Sequence, residues 1–299
     1  MLRTWIQAFR LRTLPLALAC TLMGSFLAYA RNRFTWQVLV LATLTTLFLQ
    51  ILSNLANDYG DAQHGIDNEK RLGPQRVTQN GLVTRRQMQR MIVVFVFLAM
   101  LSGALLIVVG LGGRGAPEML TFSLIGISAV FAAMKYTLGE KPYGYVGMGD
   151  LSVFIYFGIV GVAGTFFLHT HTFDPCILLP ASAIGLLGTG VLNLNNMRDI
   201  ENDSLSGKKT LVVRIGIKAA KKYHALLISL SLLFSLIYVI KYYDSVYRLL
   251  FVVTIPFFIH NIRVVLRNTD PAVLNDELKK LALSIFLFSI MFGLGLILS

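Results

Sequence analysis

The amino-acid sequence predicts an all-α polytopic membrane protein with nine transmembrane helices, and three observations carry that expectation. The 299 residues are 55% hydrophobic and 14% charged, where a soluble domain carries about 25% charged residues, and mean hydropathy is +0.67. The apolar residues fall in runs of roughly twenty, the length that crosses a bilayer core, and a globular fold would have to bury every one of them. The Lys and Arg residues divide unevenly between the two sets of connecting loops, as positive-inside topology requires.

The elements follow in chain order. MLRTWIQAFRLRT is a basic, amphipathic lead-in, with Trp5 and Phe9 suited to the membrane interface beside Arg3, Arg10 and Arg12. Pro15 opens the first span, 14–30; this run lacks a small-residue cleavage site and is expected to remain as an anchor. The second span, 35–56, ends at a polar stretch of unusual composition. The third covers 87–111 and stops at the turn GGRGAPE. The fourth, 119–134, leads into KYTLGEKPYGYVGMGD, and the fifth, 151–168, ends at HTHTFDP. The sixth, 176–194, runs into a second polar stretch, NNMRDIENDSLSGKKTLVVRIG. Spans at 219–240, 247–265 and 281–298 complete the nine.

With the N-terminus inside and the C-terminus outside, only Arg31, Arg33, Arg114, Lys241 and Arg248 of the 27 Lys and Arg residues fall outside. The net charge of +12 therefore reads as topology. It does not read as nucleic-acid binding, because the bases lie between apolar segments and not on one polar domain. Cys20 lies in the first span and Cys176 near the start of the sixth, so neither a cysteine metal pair nor a structural disulfide is expected.

The two polar stretches, 54–84 and 193–216, share a design, and the chain is expected to be a single domain over 1–299 containing this internal pseudo-repeat. The first reads Asn57-Asp58-x-x-Asp61, followed by Asp67, Lys70, Arg71 and Arg76. The second reads Asn195-Asn196-x-x-Asp199-x-x-x-Asp203, followed by Lys208, Lys209 and Arg214. Each sits at the inner end of an even-numbered span, where an acidic residue is costly unless it has a function. On a helix Asn57 and Asp61 share one face, as do Asn195, Asp199 and Asp203. Two such faces pointing at one another would enclose a pair of Mg²⁺ ions, which prefer oxygen ligands and are commonly held by a few carboxylates together with substrate phosphates. The alternative is a pair of ordinary solvated helix ends with Asp and Asn as caps and Lys as headgroup anchors.

A paired-aspartate site suggests ionisation of an allylic diphosphate, with metal ions and bases neutralising the charge on the departing group. A long isoprenoid tail belongs in lipid, and the carbocation left behind must be shielded from water by apolar walls. The segments NLANDYGD, GIDNEKRLGPQRVTQNGLVT, KYTLGEKPYGYVGMGDLSVFIYFG and NLNNMRDIENDSLSGKKTLVVRIG resemble the UbiA superfamily of membrane prenyltransferases, and the match runs along essentially the whole chain. GPQRVTQNGL, KPYGYVGMGDL and the lead-in AFRLRTLPLA resemble its menaquinone branch more narrowly.

The resemblance implies nine transmembrane helices around a central cavity, with cytoplasmic loops capping the active site, in the inner membrane of a bacterium. It also implies transfer of a polyprenyl chain from polyprenyl diphosphate to 1,4-dihydroxy-2-naphthoate, with loss of diphosphate and CO₂, giving demethylmenaquinone. Prenylation of 4-hydroxybenzoate or another phenolic acceptor stays open as a rival. A transporter is a second rival, though its polar residues should lie near the bilayer midplane and not at one face. The superfamily motif N-D-x-x-D-x-x-x-D is similar at Asn57, Asp58 and Asp61; its last Asp falls on Gly65, and the next carboxylate is Asp67. The motif D-x-x-x-D matches at Asp199 and Asp203.

The expected metal ligands are therefore Asn57, Asp58, Asp61, Asp67, Asn195, Asn196, Asp199 and Asp203. Lys70, Arg76, Lys141, Lys208 and Lys209 are candidates for the diphosphate. Arg10, Arg12 and Arg198 are candidates for an acceptor carboxylate. Tyr136, beside Lys135 at the end of the fourth span, would support the acceptor or steady a cation through its ring. Asp150 reads as a cap of the fifth span. His169 and His171 lie at the opposite end from the motifs, and His64, His224 and His260 show no partner pattern.

Overall fold

A computed structural model describes residues 2–66, 72–73, 76–78 and 81–299, the side chains from residue 4 onward. Among these residues there is no strand. The helices are α1 (Leu2–Phe9), α2 (Leu14–Tyr29), α3 (Trp36–Gln63), α4 (Arg85–Leu111), α5 (Ala116–Lys135), α6 (Gly149–Val153), α7 (Thr165–Thr170), α8 (Leu178–Arg198), α9 (Ile200–Leu205), α10 (Leu211–Lys241), α11 (Ile255–Arg267) and α12 (Leu274–Ile297). They supply nine segments long and apolar enough to cross a bilayer, one for each expected span. The chain is a multi-pass membrane protein.

Three departures from the expected spans have local causes. The second span does not stop at residue 56 but continues as α3 through the whole first motif to Gln63. Its polar residues face inward and pair there, so the helix has no reason to end at the membrane edge. The fifth span is α-helical only at its ends, in α6 and α7; Phe154–Gly164 between them is a π-helical segment, and such wide turns occur mostly at functional sites. The seventh begins eight residues early at Leu211, and Gly216, at φ 76°, breaks it. A left-handed backbone of that kind is accessible to glycine and strained for other residues.

The helices pack as two unequal groups. One core gathers α2, the π segment, α8, α10, α11 and α12 around Met23, Ile184, Leu187, Phe258 and Phe288. Phe251, Phe258, Phe288 and Phe292 pack there with ring centroids 5.6–6.0 Å apart, the offset and edge-on geometry that aromatic rings prefer. A second core joins α1, α3, α4 and α5 around Leu52, Leu55, Met88 and Phe95. Glycines set the closest approach between elements. A Cβ on Gly185 of α8 would lie 2.8 Å from the Phe154 carbonyl, and one on Gly158 would lie 2.7 Å from the Ala181 carbonyl. Small residues permit this helix contact in lipid, where packing replaces the hydrophobic effect as the driving force.

At the end of the bundle away from the motifs, His169 bridges Ser25 Oγ at 2.9 Å and the Thr35 backbone N–H at 3.1 Å. His171 Nε2 lies 2.6 Å from the Gly110 carbonyl. Both rings tie loops to helix ends.

The π segment and α8 meet backbone to backbone at Gly158 and Gly185. Gly185→Leu is expected to cost about 1–3 kcal/mol by overpacking, read as a lowered thermal midpoint of the detergent-solubilised protein. An unchanged midpoint would mean that the two elements are not in this contact.

Candidate active site

A cavity of about 310 Å³ runs between the two helix groups. Along α3 its wall is formed by Ala42, Thr46, Leu49, Ser53, Asn57 and Asp61, spaced three or four apart so that they share one helix face. At 1.5 Å per residue that face extends about 28 Å, close to the thickness of a bilayer core, about 30 Å. The far walls are apolar, with Leu106, Phe122 and Leu168. The mouth is polar, with Asn57, Asp61, Arg76, Tyr136, Asn195 and Lys208, and with Arg10 and Arg12 from the lead-in.

Each motif aspartate is buried at or beside this mouth and each is held by a base. Asp58, 2% exposed, accepts from Arg10 and lies 3.6 Å from Arg76 Nε. Asp61, also 2% exposed, accepts from Arg76 Nη2 at 2.5 Å and from the Tyr145 hydroxyl at 2.5 Å. Arg76 additionally donates to the Asn57 carbonyl at 2.7 Å, so one guanidinium clasps the last turns of α3. Asp199 accepts from Arg198 Nε at 3.0 Å and Nη2 at 2.5 Å. Asp203 lies 3.6 Å from Lys208 Nζ. Ionised carboxylates removed from water need this compensation.

Two further contacts bind the motifs to each other. Tyr145, in the turn Tyr143–Val146, donates to Asp61 while its ring lies 5.1 Å from Lys208 Nζ and its carbonyl accepts from the Lys209 backbone N–H at 2.8 Å. Asn202 Nδ2 donates to the Ile66 carbonyl at 3.0 Å, joining α9 to the end of α3. Three loops therefore converge on one mouth.

The UbiA prenyltransferase family model matches residues 17–296. The chain belongs to the UbiA prenyltransferase family. It is 42% identical over 298 residues to the 1,4-dihydroxy-2-naphthoate octaprenyltransferase of Haemophilus influenzae, covering 99% of this chain and 96% of that one. To the enzyme of the same name from Escherichia coli it is 40% identical over 297 residues, with the same coverage. The fold is shared with the apo structure of a UbiA homolog from Aeropyrum pernix (TM-score 0.66, 16% identity, 98% of both chains). It is also shared with a UbiA homolog from Archaeoglobus fulgidus bound to GPP and Mg²⁺ (TM-score 0.61, 16% identity, 95% of this chain and 99% of that one). Membership makes the chain a prenyl-transferring enzyme and sets the transporter reading aside.

Within this UbiA-family site the expected residues separate clearly. Asn57, Asp61, Arg76, Tyr136, Asn195, Lys208, Arg10 and Arg12 line the cavity. Asp58, Asp199 and Asp203 stand behind the lining, each buried in its ion pair, and Asn196 is buried beside them. Lys141 and Lys209 are exposed and do not line the cavity. Asp67 and Lys70 lie outside the described residues. Among the acceptor candidates, Arg198 is committed to Asp199, to Asn195 at 2.8 Å and to Asn275 at 2.8 Å, and Arg10 is committed to Asp58. Arg12 faces the cavity with no hydrogen bond or ion pair among the described residues.

Tyr136 sits between two glycines. A Cβ on Gly144 would lie 3.0 Å from its ring, and one on Gly149 would lie 3.0 Å from its hydroxyl. Burial raises its phenol well above the usual value, reinforced by the nearby carboxylates of Asp150, Asp203 and Asp61. It is a neutral aromatic at the mouth.

The donor set suits a hard divalent cation. Asp203 Oδ2 is buried with no partner among the described residues. Burial pushes this carboxyl up to about 6, and Asp199 and Asp61 add to the rise against the opposing pull of Lys208. Carboxylates crowded in this way lose their mutual repulsion when a cation joins them. Among the described residues no three acidic, His or Cys side chains surround a single point.

Tyr145 is the contact that sequence reasoning missed. The KPYGY segment was expected to reach the site through Lys141; it does so through the aromatic four residues later, whose side chain points back toward Asp61. Tyr145→Phe keeps the ring under Lys208 and deletes the donor to Asp61. It is expected to lower prenyl transfer by about tenfold or more, the usual cost of losing a partner that orients a ligand, with the thermal midpoint little changed. Full activity would exclude Tyr145 from orienting Asp61.

Proposed function

We propose that this chain transfers a polyprenyl group from polyprenyl diphosphate to 1,4-dihydroxy-2-naphthoate, releasing diphosphate and CO₂. The observation that carries this reading is 40–42% identity, over nearly the full length of both partners, to enzymes named for that acceptor. The geometry suits it: acidic motifs and bases ring the mouth of a long apolar cavity that reaches toward the far side of the membrane.

Asn57, Asp58, Asp61, Asn195, Asn196, Asp199 and Asp203 would hold Mg²⁺, in our reading two ions, one at each motif. Bound Mg²⁺ supplies electrophilic neutralisation of the leaving diphosphate. Arg76 and Lys208, which line the mouth, turn from the aspartates toward the phosphates and stabilise the same charge. Heterolysis of the allylic C–O bond leaves its electron pair on the diphosphate. The electron-rich ring carbon that bears the carboxylate then forms the new C–C bond. Loss of CO₂ returns the electrons of the broken C–C bond to the ring and restores aromaticity, giving the hydroquinone form of demethylmenaquinone. Tyr136 presents its ring to the developing cation, and the apolar walls exclude water from it. Arg12, the uncommitted guanidinium of the mouth, anchors the acceptor carboxylate.

The inward position of the N-terminus and the outward position of the C-terminus rest on the asymmetry of Lys and Arg, and the inner-membrane location rests on the similarity to bacterial enzymes. The single-domain organisation with a pseudo-repeat rests on the matching motif ends of α3 and α8.

The test uses membranes or purified protein given farnesyl diphosphate, Mg²⁺ and either 1,4-dihydroxy-2-naphthoate or 4-hydroxybenzoate, with products detected by mass. Prenylation of the naphthoate with loss of CO₂, and none of the benzoate, is expected. Asp61→Ala should lower turnover by about a hundredfold or more, the scale on which single electrostatic contacts act in transition states. An Asp61→Ala enzyme of normal activity, or a failure to prenylate the naphthoate, would sink the proposal.

Arg12→Gln gives a second expected outcome. Losing one charge-assisted hydrogen bond removes about 2 kcal/mol, roughly thirtyfold in KM for the naphthoate, with KM for the diphosphate donor unaffected. A rise in donor KM instead would place Arg12 on the phosphates.

A further inference from the structure

The cavity has a floor as well as a mouth, and the wall between them is graded. Along α5 its cavity face reads, from the mouth inward, Tyr136, Ala133, Ala129, Gly126 and Phe122. The positions share one helix face and cover about 21 Å from Tyr136 to Phe122. Between the two aromatics α5 lines the cavity with Ala133, Ala132, Ala129 and Gly126, and with Ile125 next to the floor. Phe122 is stacked on Phe167, ring centroids 5.3 Å apart and planes 26° apart. The pair packs with Leu106, Leu111 and Leu168 in a cluster that closes the end of the cavity.

Two glycines keep the space above this floor open. A Cβ built on Gly126 meets nothing within 4 Å, and one on Gly164 of the π segment meets only Phe122 Cε1 and Val160 Cγ1, both at 4.0 Å. Both residues line the cavity and both have negative φ, so neither is required by its backbone. They contrast with Gly158 and Gly185, where an added Cβ would strike backbone at 2.7–2.8 Å. A side chain at 126 or 164 would extend from the cavity wall into open space.

From this we propose that Gly126 and Gly164, set against the Phe122–Phe167 floor, determine how long a prenyl chain the cavity accepts. The inference rests on the prenyl-transfer reading above and adds to it the residues that select among donors. A tail entering from the mouth runs down the Ala and Gly wall of α5 and meets the floor. A bulkier residue at 126 or 164 raises that floor; truncation of Phe122 lowers it. Apolar pockets discriminate by the volume they deny to the ligand, and one methylene misplaced changes kcat/KM by about tenfold or more.

The experiment compares wild type, Gly126→Leu, Gly164→Leu and Phe122→Ala with geranyl, farnesyl, geranylgeranyl and octaprenyl diphosphates at fixed Mg²⁺ and naphthoate. Expected is a rise of at least about tenfold in the geranyl-to-octaprenyl ratio of kcat/KM for both glycine variants, and a fall in the same ratio for Phe122→Ala. Because the readout is a ratio within one preparation, a loss of folded protein does not move it. Ratios equal to wild type in all three variants, or shifted the same way by filling and by emptying, would overturn the inference. A wild type that prenylates from some donors while the ratios stay fixed removes only this inference; a wild type inactive with every donor removes the functional reading itself.

Discussion

Four buried aspartates at one end of a membrane bundle are the constraint around which this structure is arranged. A carboxylate withdrawn from water must find a partner, and stripping the partner from a buried pair costs about 3–5 kcal/mol. The fold meets that demand from four places in the chain. Arg10 comes from the lead-in, Arg76 from the loop after α3, Arg198 from the end of α8 and Lys208 from the turn after α9. Those bonds draw the loops over the mouth of the cavity. Replacing such pairs with apolar residues is often neutral or stabilising, so stability alone gives no reason for keeping four of them beside lipid. The proposed function does, since the acids and bases that neutralise one another are the groups that would take up cations and a diphosphate together.

The cavity below the mouth follows from the same division. α3 carries polar residues on its inner face toward the motif, Gln50, Ser53, Asn54 and Asn57, and Ala42 and Leu49 nearer the far end. One helix thus presents a wet end and a dry end to the same space. The π segment widens the opposite wall, and Gly158 lets it press on α8 while Gly164 leaves the cavity open. A reaction that starts with a diphosphate and yields a carbocation needs both environments within one molecule's length.

Much of this was legible in the sequence. Hydropathy alone located the nine spans, because lipid allows few alternatives to a helix for an apolar run of that length. The spacing of Asn57 with Asp61 and of Asp199 with Asp203 placed acids at two helix ends, and the structure brings those ends together. What stayed hidden depends on contacts distant in sequence. The extension of α3 through its motif depends on Arg76, Arg10 and Tyr145 satisfying groups that a window of hydropathy scores as polar. The π turns of Phe154–Gly164 leave no composition signal that distinguishes them from an ordinary apolar helix. Lys141 attracted attention by its charge, yet the side chain that crosses to Asp61 is Tyr145, and only the fold of the turn reveals which of the two points inward.

The departure of the first motif from its family pattern also has a structural reason. The pattern places a carboxylate at position 65, and here that residue is Gly65 at φ 68°. The Ile66 backbone N–H reaches back to the Asp61 carbonyl at 3.0 Å and the His64 N–H to the Gly60 carbonyl at 3.1 Å, the bonding of a helix closed by a left-handed residue. Ile66 is buried beneath that turn, the hydrophobic contact that accompanies such closures. An aspartate at 65 would have to adopt a backbone that glycine takes at little cost. The glycine ends α3 just past Asp61, and Arg76 and Val77 pack against that helix. Helix termination and a third carboxylate compete for one position, and in this chain termination occupies it, leaving Asp58 and Asp61 as the first motif's carboxylates on the described helix.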